Sequence, residues 1–415
     1  MIGVRRVFTA LLLCAGAALA AAPLSPRQQG EDFDAMWRAI DTGYAYFDAG
    51  HGAWKRARDA WRPRAARATT RADFVAAVEG ALEQLREDNV SLSEHSSTAR
   101  RVPYESDVWA RWREGRAVVE SVRTFSDADV AGLRPGTIVT HVNGVPIERA
   151  VRQRLGSAPP DARALDWALR QVLAGPRTGL QRLGVRAGSE QGQNGVRPRY
   201  DPGLSLPIER TPATHGNAPP ILARRMGDER NIGYLRVRIG SGDAKLVEQF
   251  EGAINYLKDT RALIVDLRET LGPGSRAETE AILARFGSAA YRAPVLVLVD
   301  RSTAGEGEAL AAGMKGAVNA RLVGTSMAGL RGDLRETTLP HSGIVVSFPA
   351  RKTLLANGEP RESLRPDVPV DLAAPLGGPG DPILYQALKV LEPCPGPACR
   401  SAPGSPPPSR GSLRR

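Results

Sequence analysis

The chain has 415 residues, which is long enough for two or three domains at roughly 100–200 residues per domain. Hydrophobic residues make up 42% of it and charged residues 24%. This balance excludes a disordered chain, a collagen-like repeat and a multi-spanning membrane protein. The formal net charge is +11. Because the basic residues are scattered and form no dense block interleaved with aromatic side chains, binding to nucleic acid is not expected.

The first 22 residues have the pattern of a secretory signal peptide. Arg5 and Arg6 precede an apolar run that begins at residues 7–13, and residues 18–20 form a small-x-small cleavage site. The apolar run is too short to span a membrane. We therefore expect an exported, periplasmic mature chain without an integral membrane span. Lipidation of Cys14 is not favoured, because Leu13 stands where a small residue is preferred.

Cleavage of the signal peptide would leave two cysteines, Cys394 and Cys399. In an oxidising compartment this pair could close a small disulfide loop. A metal site would need further ligands, and the five histidines are scattered along the sequence, so no metal or other cofactor is expected. Residues 393–415 have few apolar side chains to bury, which predicts a disordered tail.

Residues 23–105 are predicted to form an N-terminal helical segment. Four apolar residues recur there at helical spacing: Phe33, Met36, Trp37 and Ile40. A second amphipathic stretch covers residues 74–85. Thr70, followed three residues later by Asp73, has the spacing of a helix start.

Residues 106–190 change to a β-rich pattern. Short runs rich in β-branched residues lie at 117–119 and 137–139, and an Asn-Gly pair at 143–144 indicates a hairpin. The stretch DVAGLRPGTIVTHVNGVPIERA resembles a PDZ domain. The resemblance implies a module that binds an extended peptide as an added strand.

The candidate peptide-binding residues of this PDZ-like domain are Gly132 and Leu133. The alternative is a domain of the same fold that has no free groove. A helix is predicted at residues 162–173, and residues 191–228 are predicted to be a connector.

Residues 229–392 alternate between buried strands and helices. Strands are predicted at residues 232–237, 262–268, 294–300 and 321–324, and helices at 247–257, 278–286 and 308–318. Runs such as ALIVDLR and PVLVLVD are apolar almost throughout, as in parallel strands that are covered on both faces. The alternation predicts an α/β domain with a largely parallel sheet.

Several motifs, in this order, resemble the tail-specific or C-terminal-processing serine peptidases, including their tricorn-like branch. The N-terminal segment carries YAYFD and LREDNVSLSEH. The core carries IGYLRV, ALIVDLRETLGPG, APVLVLVDRSTAGEGEALAAGMK, RLVGTSMAGLRG and the closing motif ESLRPDVPVDL. The resemblance covers nearly the whole mature chain. It implies an α/β crotonase-like core of βαβ units, a PDZ-like β-rich domain and an N-terminal helical segment.

A glycine occupies the nucleophile position that the resemblance implies. Active members of the family use a serine with a lysine base, or a serine with a histidine and an acid, because a hydroxyl needs a positioned base to take its proton. The family's spacing places the nucleophile five residues after Asp300 and three before Glu308. Both counts give Gly305. A shifted register would use Thr303 or Ser302 instead.

The positions of the base are substituted as well. The expected lysine is replaced by Leu330, and the neighbouring Arg331 cannot take a proton because its guanidinium stays charged. The histidine position of the tricorn-like branch holds Val90. If the protein is nevertheless active, His95 is a candidate for a displaced base and Glu306 for a carboxylate base.

The glycine turn after the DLR motif persists in part. Gly272 and Gly274 match the turn whose amides help to form the family's oxyanion hole. Pro273 now separates them and lacks an N–H donor. The turn is therefore expected to serve as a partial oxyanion hole or as a carboxylate-binding site.

These substitutions predict that the family reaction is lost. Losing a catalytic unit lowers turnover by a factor of about 10⁴–10⁶, and an oxyanion hole alone gives only about 10³ over water. The first hypothesis is an exported, catalytically impaired protein that binds peptide or protein C-termini. The second is an active serine-type peptidase that uses Thr303 or Ser302 with His95 or Glu306. The third is a binder of a small hydrophobic or anionic ligand in the crotonase-like cleft.

Overall fold

The computed structural model describes residues 24–48, 50–97, 99–100, 106–156, 161–177, 179–186, 204–209, 219–227, 231–239, 245–270, 274–288, 293–374 and 380–392. The predicted signal peptide, the predicted tail with Cys394 and Cys399, and Gly272 lie outside these described residues. Within the described ranges, no helix is both long and apolar enough to cross a membrane. The described strands form three sheets.

Three helices open the fold: α1 (Pro26–Gly43), α2 (Gly52–Ala66) and α3 (Arg71–Leu82), followed by the short strand β1 (Ser91–Leu92). The start of α3 is capped as its sequence predicts. The Thr70 hydroxyl accepts a hydrogen bond from the Asp73 amide, and the Asp73 carboxylate accepts one from the Thr70 amide. Helix α2 also lies within the predicted helical segment, although it is rich in arginine and contains Pro63.

The β-rich unit (residues 106–209) contains β2 (Val108–Arg113), β3 (Arg116–Val122), α4 (Asp127–Val130), β4 (Ile138–Val142), β5 (Val145–Pro146), α5 (Ile147–Leu155), α6 (Ala162–Ala174), β6 (Leu180–Arg186) and β7 (Leu204–Glu209). Its main sheet is antiparallel, with the order β2-β3-β4-β6-β7. Helices α5 and α6 pack against this sheet through buried side chains such as Val151, Trp167 and Leu169. Strand β7 lies in the range predicted as a connector, so the unit extends further than its sequence suggests.

The remaining elements are β8 (Ile221–Met226), β9 (Ile232–Val237), α7 (Leu246–Leu257), β10 (Ala262–Asp266), α8 (Arg276–Ser288), β11 (Val295–Val299), α9 (Glu306–Val318), β12 (Arg321–Gly324), β13 (Asp333–Thr338), β14 (Val345–Arg351), β15 (Val368–Pro369) and α10 (Pro382–Leu391). They build a six-stranded sheet with the order β15-β12-β11-β10-β9-β8. All its neighbouring strands are parallel except β8, which also lies in the predicted connector.

The two central strands of this sheet, β10 and β11, are buried along their whole length. Helices α7, α8 and α9 pack on one face, and α10 packs on the other. A strand that is covered on both faces needs apolar side chains on both, and this explains the continuous apolar runs in the sequence. The predicted α/β organisation of the core is thereby confirmed.

A small antiparallel sheet, β1-β14-β13, connects the helical segment to the core. Ser91 pairs with Ser347, and Ser347 pairs with Glu336, so these three residues lie side by side across the sheet. Buried residues of the other face, including Val346, pack against the N-terminal helices. The pairing therefore brings the residues that follow α3 next to the start of α9.

Candidate functional site

The nucleophile position lies at a sharp turn between a strand and a helix. Gly305 is the N-cap residue of α9, which follows β11 after a short loop. Its φ of 55° and ψ of −114° fall in a region that L-residues with a side chain rarely adopt. A strained strand-to-helix turn is the geometry with which hydrolases present a nucleophilic side chain. Here the backbone geometry is present and the side chain is missing.

Glu308 fixes this turn against the loop that follows β12. Its buried carboxylate accepts hydrogen bonds from the amides of Gly305 (3.2 Å), Gly329 (2.8 Å) and Leu330 (3.1 Å). Burial raises the pKa of Glu308 to about 7, although the Arg361 guanidinium and the three amides act in the opposite direction. The carboxylate is therefore a structural bridge that holds Gly305 and Leu330 together.

Thr303 has a structural role. Its side chain is fully buried, its hydroxyl donates to the Leu267 carbonyl at 3.0 Å, and the same hydroxyl accepts from the Asp300 amide at 3.1 Å. The Ser302 amide donates to the Asp300 carboxylate at 2.8 Å. Among the contacts of the described residues, none joins Thr303 or Ser302 to a histidine. The structure thus offers no activated hydroxyl at the shifted register.

Three substituted positions line a single cavity of about 270 Å³: Val90, Gly305 and Leu330. The other described residues of this lining are Asp88, Asn89, Ser91, Gly274, Arg276, Glu306, Gly332, Asp333, Leu334, Glu336, Ser347 and Arg361. We call this space the Gly305 cavity. No lysine or histidine belongs to its described lining. The three positions that the family resemblance identified in the sequence therefore lie around one cavity in the folded chain.

His95 lies outside the described lining of this cavity. Its Nδ1 is 3.2 Å from a carboxylate oxygen of Glu79, on α3. With Val90 it lines a separate, narrow space of about 80 Å³. No contact in the described ranges connects His95 with Gly305 or Glu306. Its proposed role as a displaced base therefore has no geometric support.

The β-rich unit contacts the Gly305 cavity from the side. Trp109, at the start of β2, packs with Ala304, Ala328 and Leu330 in a small buried cluster. Arg301 lies nearby, where it donates to the Met327 carbonyl at 2.7 Å and to the Glu120 carboxylate of β3 at 2.7 Å. Burial lowers the pKa of Arg301 to about 10, while Glu120 acts in the opposite direction. Leu330 is thus a packing residue between the β-rich unit and the core.

The glycine turn after the DLR motif reaches the cavity through Gly274. Gly274 has a φ of 67°, and a Cβ at this position would lie 2.8 Å from the Cβ of Glu306. Its backbone therefore approaches the start of α9 closely, where helix amides favour a negative charge. Gly272, the other glycine of the predicted oxyanion site, lies outside the described residues.

The DLR motif itself supports the sheet. Arg268 donates to both carboxylate oxygens of Asp266 and to the Asp381 carboxylate that caps α10. The Tyr234 hydroxyl donates to Asp266 at 2.6 Å. Two residues after the motif, the Thr270 hydroxyl accepts a hydrogen bond from the Ala304 amide at 3.2 Å, which connects this turn to the Gly305 loop.

The two residues predicted to bind a peptide in the PDZ-like domain do not offer free donors. The Gly132 amide donates to the Asp129 carbonyl, and the Leu133 amide donates to the Ala128 carbonyl, both at 3.0 Å. The Leu133 side chain is fully buried in the core of the β-rich unit. A carboxylate site needs amides that point into an open groove, so the structure does not support Gly132 and Leu133 as ligand contacts.

Sequence reasoning missed several residues of the Gly305 cavity. Ser91, Glu336 and Ser347 enter it through the small sheet, and the Ser347 hydroxyl donates to Glu336 at 3.3 Å. Arg361 is buried at its edge and donates to the carbonyls of Leu330 and Gly332. The residues 91 and 347 are paired only in the folded sheet. No motif in the sequence marks them.

The pKa of Asp300, which precedes the Gly305 loop, provides a test of the electrostatics near the site. Burial raises its pKa to about 7, while Arg268 acts in the opposite direction. The folded chain therefore holds a proton that the unfolded chain releases near pH 4. As a result, the contribution of Asp300 to the free energy of unfolding falls as the pH rises from about 4 to about 7, and it stays constant above that.

We expect Asp300→Asn to flatten this part of the stability profile. An amide oxygen can still accept the hydrogen bond from the Ser302 amide, so the change removes mainly the charge. At pH 8 the variant should be more stable than the wild type by roughly 2–4 kcal/mol. The measurement is denaturant unfolding of both proteins at pH 5 and pH 8. Parallel profiles for the two proteins would contradict the buried carboxylate described here.

Comparisons with known families agree with this geometry. The profile of the tricorn protease C1 domain matches residues 26–79, and that of peptidase family S41 matches residues 273–370. The second match includes Gly305, Glu308 and Leu330. In this region the chain is similar to peptidase family S41. The resemblance to the tail-specific peptidases is thereby confirmed. No curated protein matches the sequence.

One solved structure shows the same fold, and two others show weaker similarity. The photosystem II D1 C-terminal processing protease superposes with a TM-score of 0.50 at 16% identity, over 83% of this chain and 93% of that chain. Mature CPAF gives a TM-score of 0.49 at 14% identity, over 83% and 93% of the two chains. The tricorn protease gives 0.47 at 14% identity, over 88% of this chain and 36% of that one. At such identities the first likeness shows an S41 peptidase-like α/β fold and no more.

Proposed function

We propose that this chain is an exported, catalytically impaired member of peptidase family S41 that binds peptide or protein C-termini. The observation that carries the proposal is that Val90, Gly305 and Leu330 line the same cavity. A serine peptidase needs a nucleophile and a base within hydrogen-bonding distance of each other. At the three positions where the family would supply them, this chain has two aliphatic side chains and a glycine.

Peptide binding does not require the missing groups. The Gly305 cavity retains the backbone turn at the start of α9, the close approach of Gly274 and the exposed edge of β13. An extended peptide that pairs with a strand edge gains main-chain hydrogen bonds, whatever its sequence. A peptide carboxylate is also compatible with helix amides. The family's binding surface can therefore persist without its chemistry.

The finer assignments belong to the same proposal. We interpret the β-rich unit as a PDZ-like domain and the six-stranded sheet with its helices as a crotonase-like core. The N-terminal sequence supports export, because a basic start, an apolar run and a small-x-small site occur in that order. A periplasmic location would place the protein where unfolded chain ends occur.

The alternative, an active serine-type peptidase with non-standard residues, has less support. It would need Thr303 or Ser302 with His95 or Glu306. The Thr303 hydroxyl is buried and already donates to the Leu267 carbonyl, and His95 is hydrogen-bonded to Glu79.

A binding assay tests the proposed function. A fluorescein-labelled peptide of ten residues with a free, apolar C-terminus would be titrated with the mature chain and followed by fluorescence anisotropy. We expect saturable binding, and we expect Ser347→Trp, which fills the Gly305 cavity, to weaken it at least tenfold. Thr338→Trp is the matched control, because Thr338 is exposed on the neighbouring strand and outside the described cavity lining. Absence of binding, or equal weakening in both variants, would refute the proposal.

A further inference from the structure

A second and larger cavity, of about 690 Å³, lies between the helical segment and the β-rich unit. Four of the described residues that line it are arginines: Arg64, Arg67, Arg100 and Arg154. We call this space the arginine cavity. Its volume is within the range of about 300–1,000 Å³ that is usual for small-molecule sites. It shares no described lining residue with the Gly305 cavity.

Among the described residues, Arg64 and Arg67 form no ion pair, and the Glu83 carboxylate that acts on Arg100 is already paired with Arg154. The Arg64 guanidinium stacks on the Trp61 ring at 4.4 Å. Arg100 donates to the Gln171 carbonyl at 3.1 Å, and its backbone is held by a β-bridge to Pro176. Burial and the neighbouring Arg154 lower the pKa of Arg100. Because Arg100 and Arg154 share a single carboxylate, an anionic ligand would supply charge that this largely buried pair lacks.

The acidic residues of the lining have partners within the protein. Asp73 caps α3 through Thr70, and Glu79 accepts hydrogen bonds from the amide and hydroxyl of Ser96. Glu83 pairs with Arg154 at 2.8 Å. Even so, the Nε of Arg154 is buried without a hydrogen-bond partner in the described part of the chain. The carboxylates of Asp73 and Glu79 are thus directed to Thr70 and Ser96, and in the described lining four arginines face three carboxylates.

Trp61 lines the arginine cavity next to α3. A Cβ at Gly80 would lie only 2.3 Å from the Trp61 ring, so the ring packs directly on the backbone of α3. The rigid ring holds Arg64 by stacking, and the β-bridge holds the backbone of Arg100. Donors that are fixed before binding lose little conformational entropy when a ligand arrives.

We propose that the arginine cavity binds a small multivalent oxyanion, that is, a ligand with two or more carboxylate or phosphate groups. Guanidinium groups recognise both through paired N–H donors. Several arginines around one cavity favour an anion of more than one charge. This site is independent of peptide binding at the Gly305 cavity.

Isothermal titration calorimetry at constant ionic strength tests the inference, with citrate and tripolyphosphate as the probes. We expect saturable binding of at least one probe, and the stronger of the two identifies the preferred group. Arg67→Gln and Arg100→Gln should each weaken that binding at least tenfold. Arg149→Gln is the control, because Arg149 is an exposed arginine of α5 outside the described lining, and it should change the affinity less than twofold.

Two results would overturn the inference. One is the absence of saturable binding by either probe. The other is equal weakening in all three variants, which would show attraction to the net positive charge of the whole chain. Arg67 is exposed at the end of α2, so its substitution should leave the fold intact. Circular dichroism of each variant checks this.

Discussion

Glu87→Ala is expected to lower the free energy of unfolding by about 3–5 kcal/mol. The buried Glu87 carboxylate accepts hydrogen bonds from the Tyr44 hydroxyl at 2.8 Å and from Nε of Arg331 at 3.0 Å. The Arg331 guanidinium also stacks on the Tyr46 ring at 3.9 Å. Without Glu87, a largely buried guanidinium and a buried hydroxyl both lose their acceptor. The network joins the end of α1 to the loop that follows Leu330, so its loss should destabilise both.

Denaturant unfolding of the wild type and the variant measures this effect. Glu114→Ala is the control, because Glu114 pairs with Arg116 at the surface with 83% of its side chain exposed. That change should stay within about 0.5 kcal/mol. A second variant, Glu87→Gln, keeps an acceptor and should be less destabilised than Glu87→Ala. A loss below about 1 kcal/mol in Glu87→Ala would mean that the buried pair does not hold these segments together.

The largest functional effect concerns peptide-bond hydrolysis by the unmodified chain. We expect turnover to be lower by a factor of about 10⁴–10⁶ than that of a peptidase with an intact catalytic unit. In the proposed assignment Gly305 and Leu330 replace the nucleophile and the base, and the two losses do not multiply because the two groups act as a unit. Stabilisation by the remaining amides gives about 10³ over water, which is too little for biological proteolysis.

The core of this chain was predictable because each of its elements has a local signal. The apolar runs in β10 and β11 indicate strands that are buried on both faces, and the Thr70–Asp73 pair indicates the start of α3. Gly305 could be located because two independent counts, from Asp300 and from Glu308, agree. The structure explains why the distance in sequence from Glu308 is informative. The Glu308 carboxylate accepts a hydrogen bond from the Gly305 amide, so the two residues belong to one turn.

The surroundings of Gly305 could not be predicted, because they depend on contacts that are distant in sequence. Ser91 and Ser347 are neighbours only through the β1–β14 pairing. Arg361 follows β14 in the sequence and lines the Gly305 cavity, and no periodicity in the sequence indicates this position. Likewise, the use of the Gly132 and Leu133 amides in local hydrogen bonds follows from the turn after α4, which the family resemblance did not resolve.

The proposed loss of catalysis is tested most directly by incubating the purified mature chain with an unfolded, apolar-tailed protein and analysing the products by mass spectrometry. Ser302→Ala, Thr303→Ala, His95→Ala and Ser347→Ala variants would be run in parallel. We predict no cleavage by the wild type over a day, while the same substrate tail still binds. Cleavage that one of these substitutions abolishes would contradict the account and identify the catalytic group.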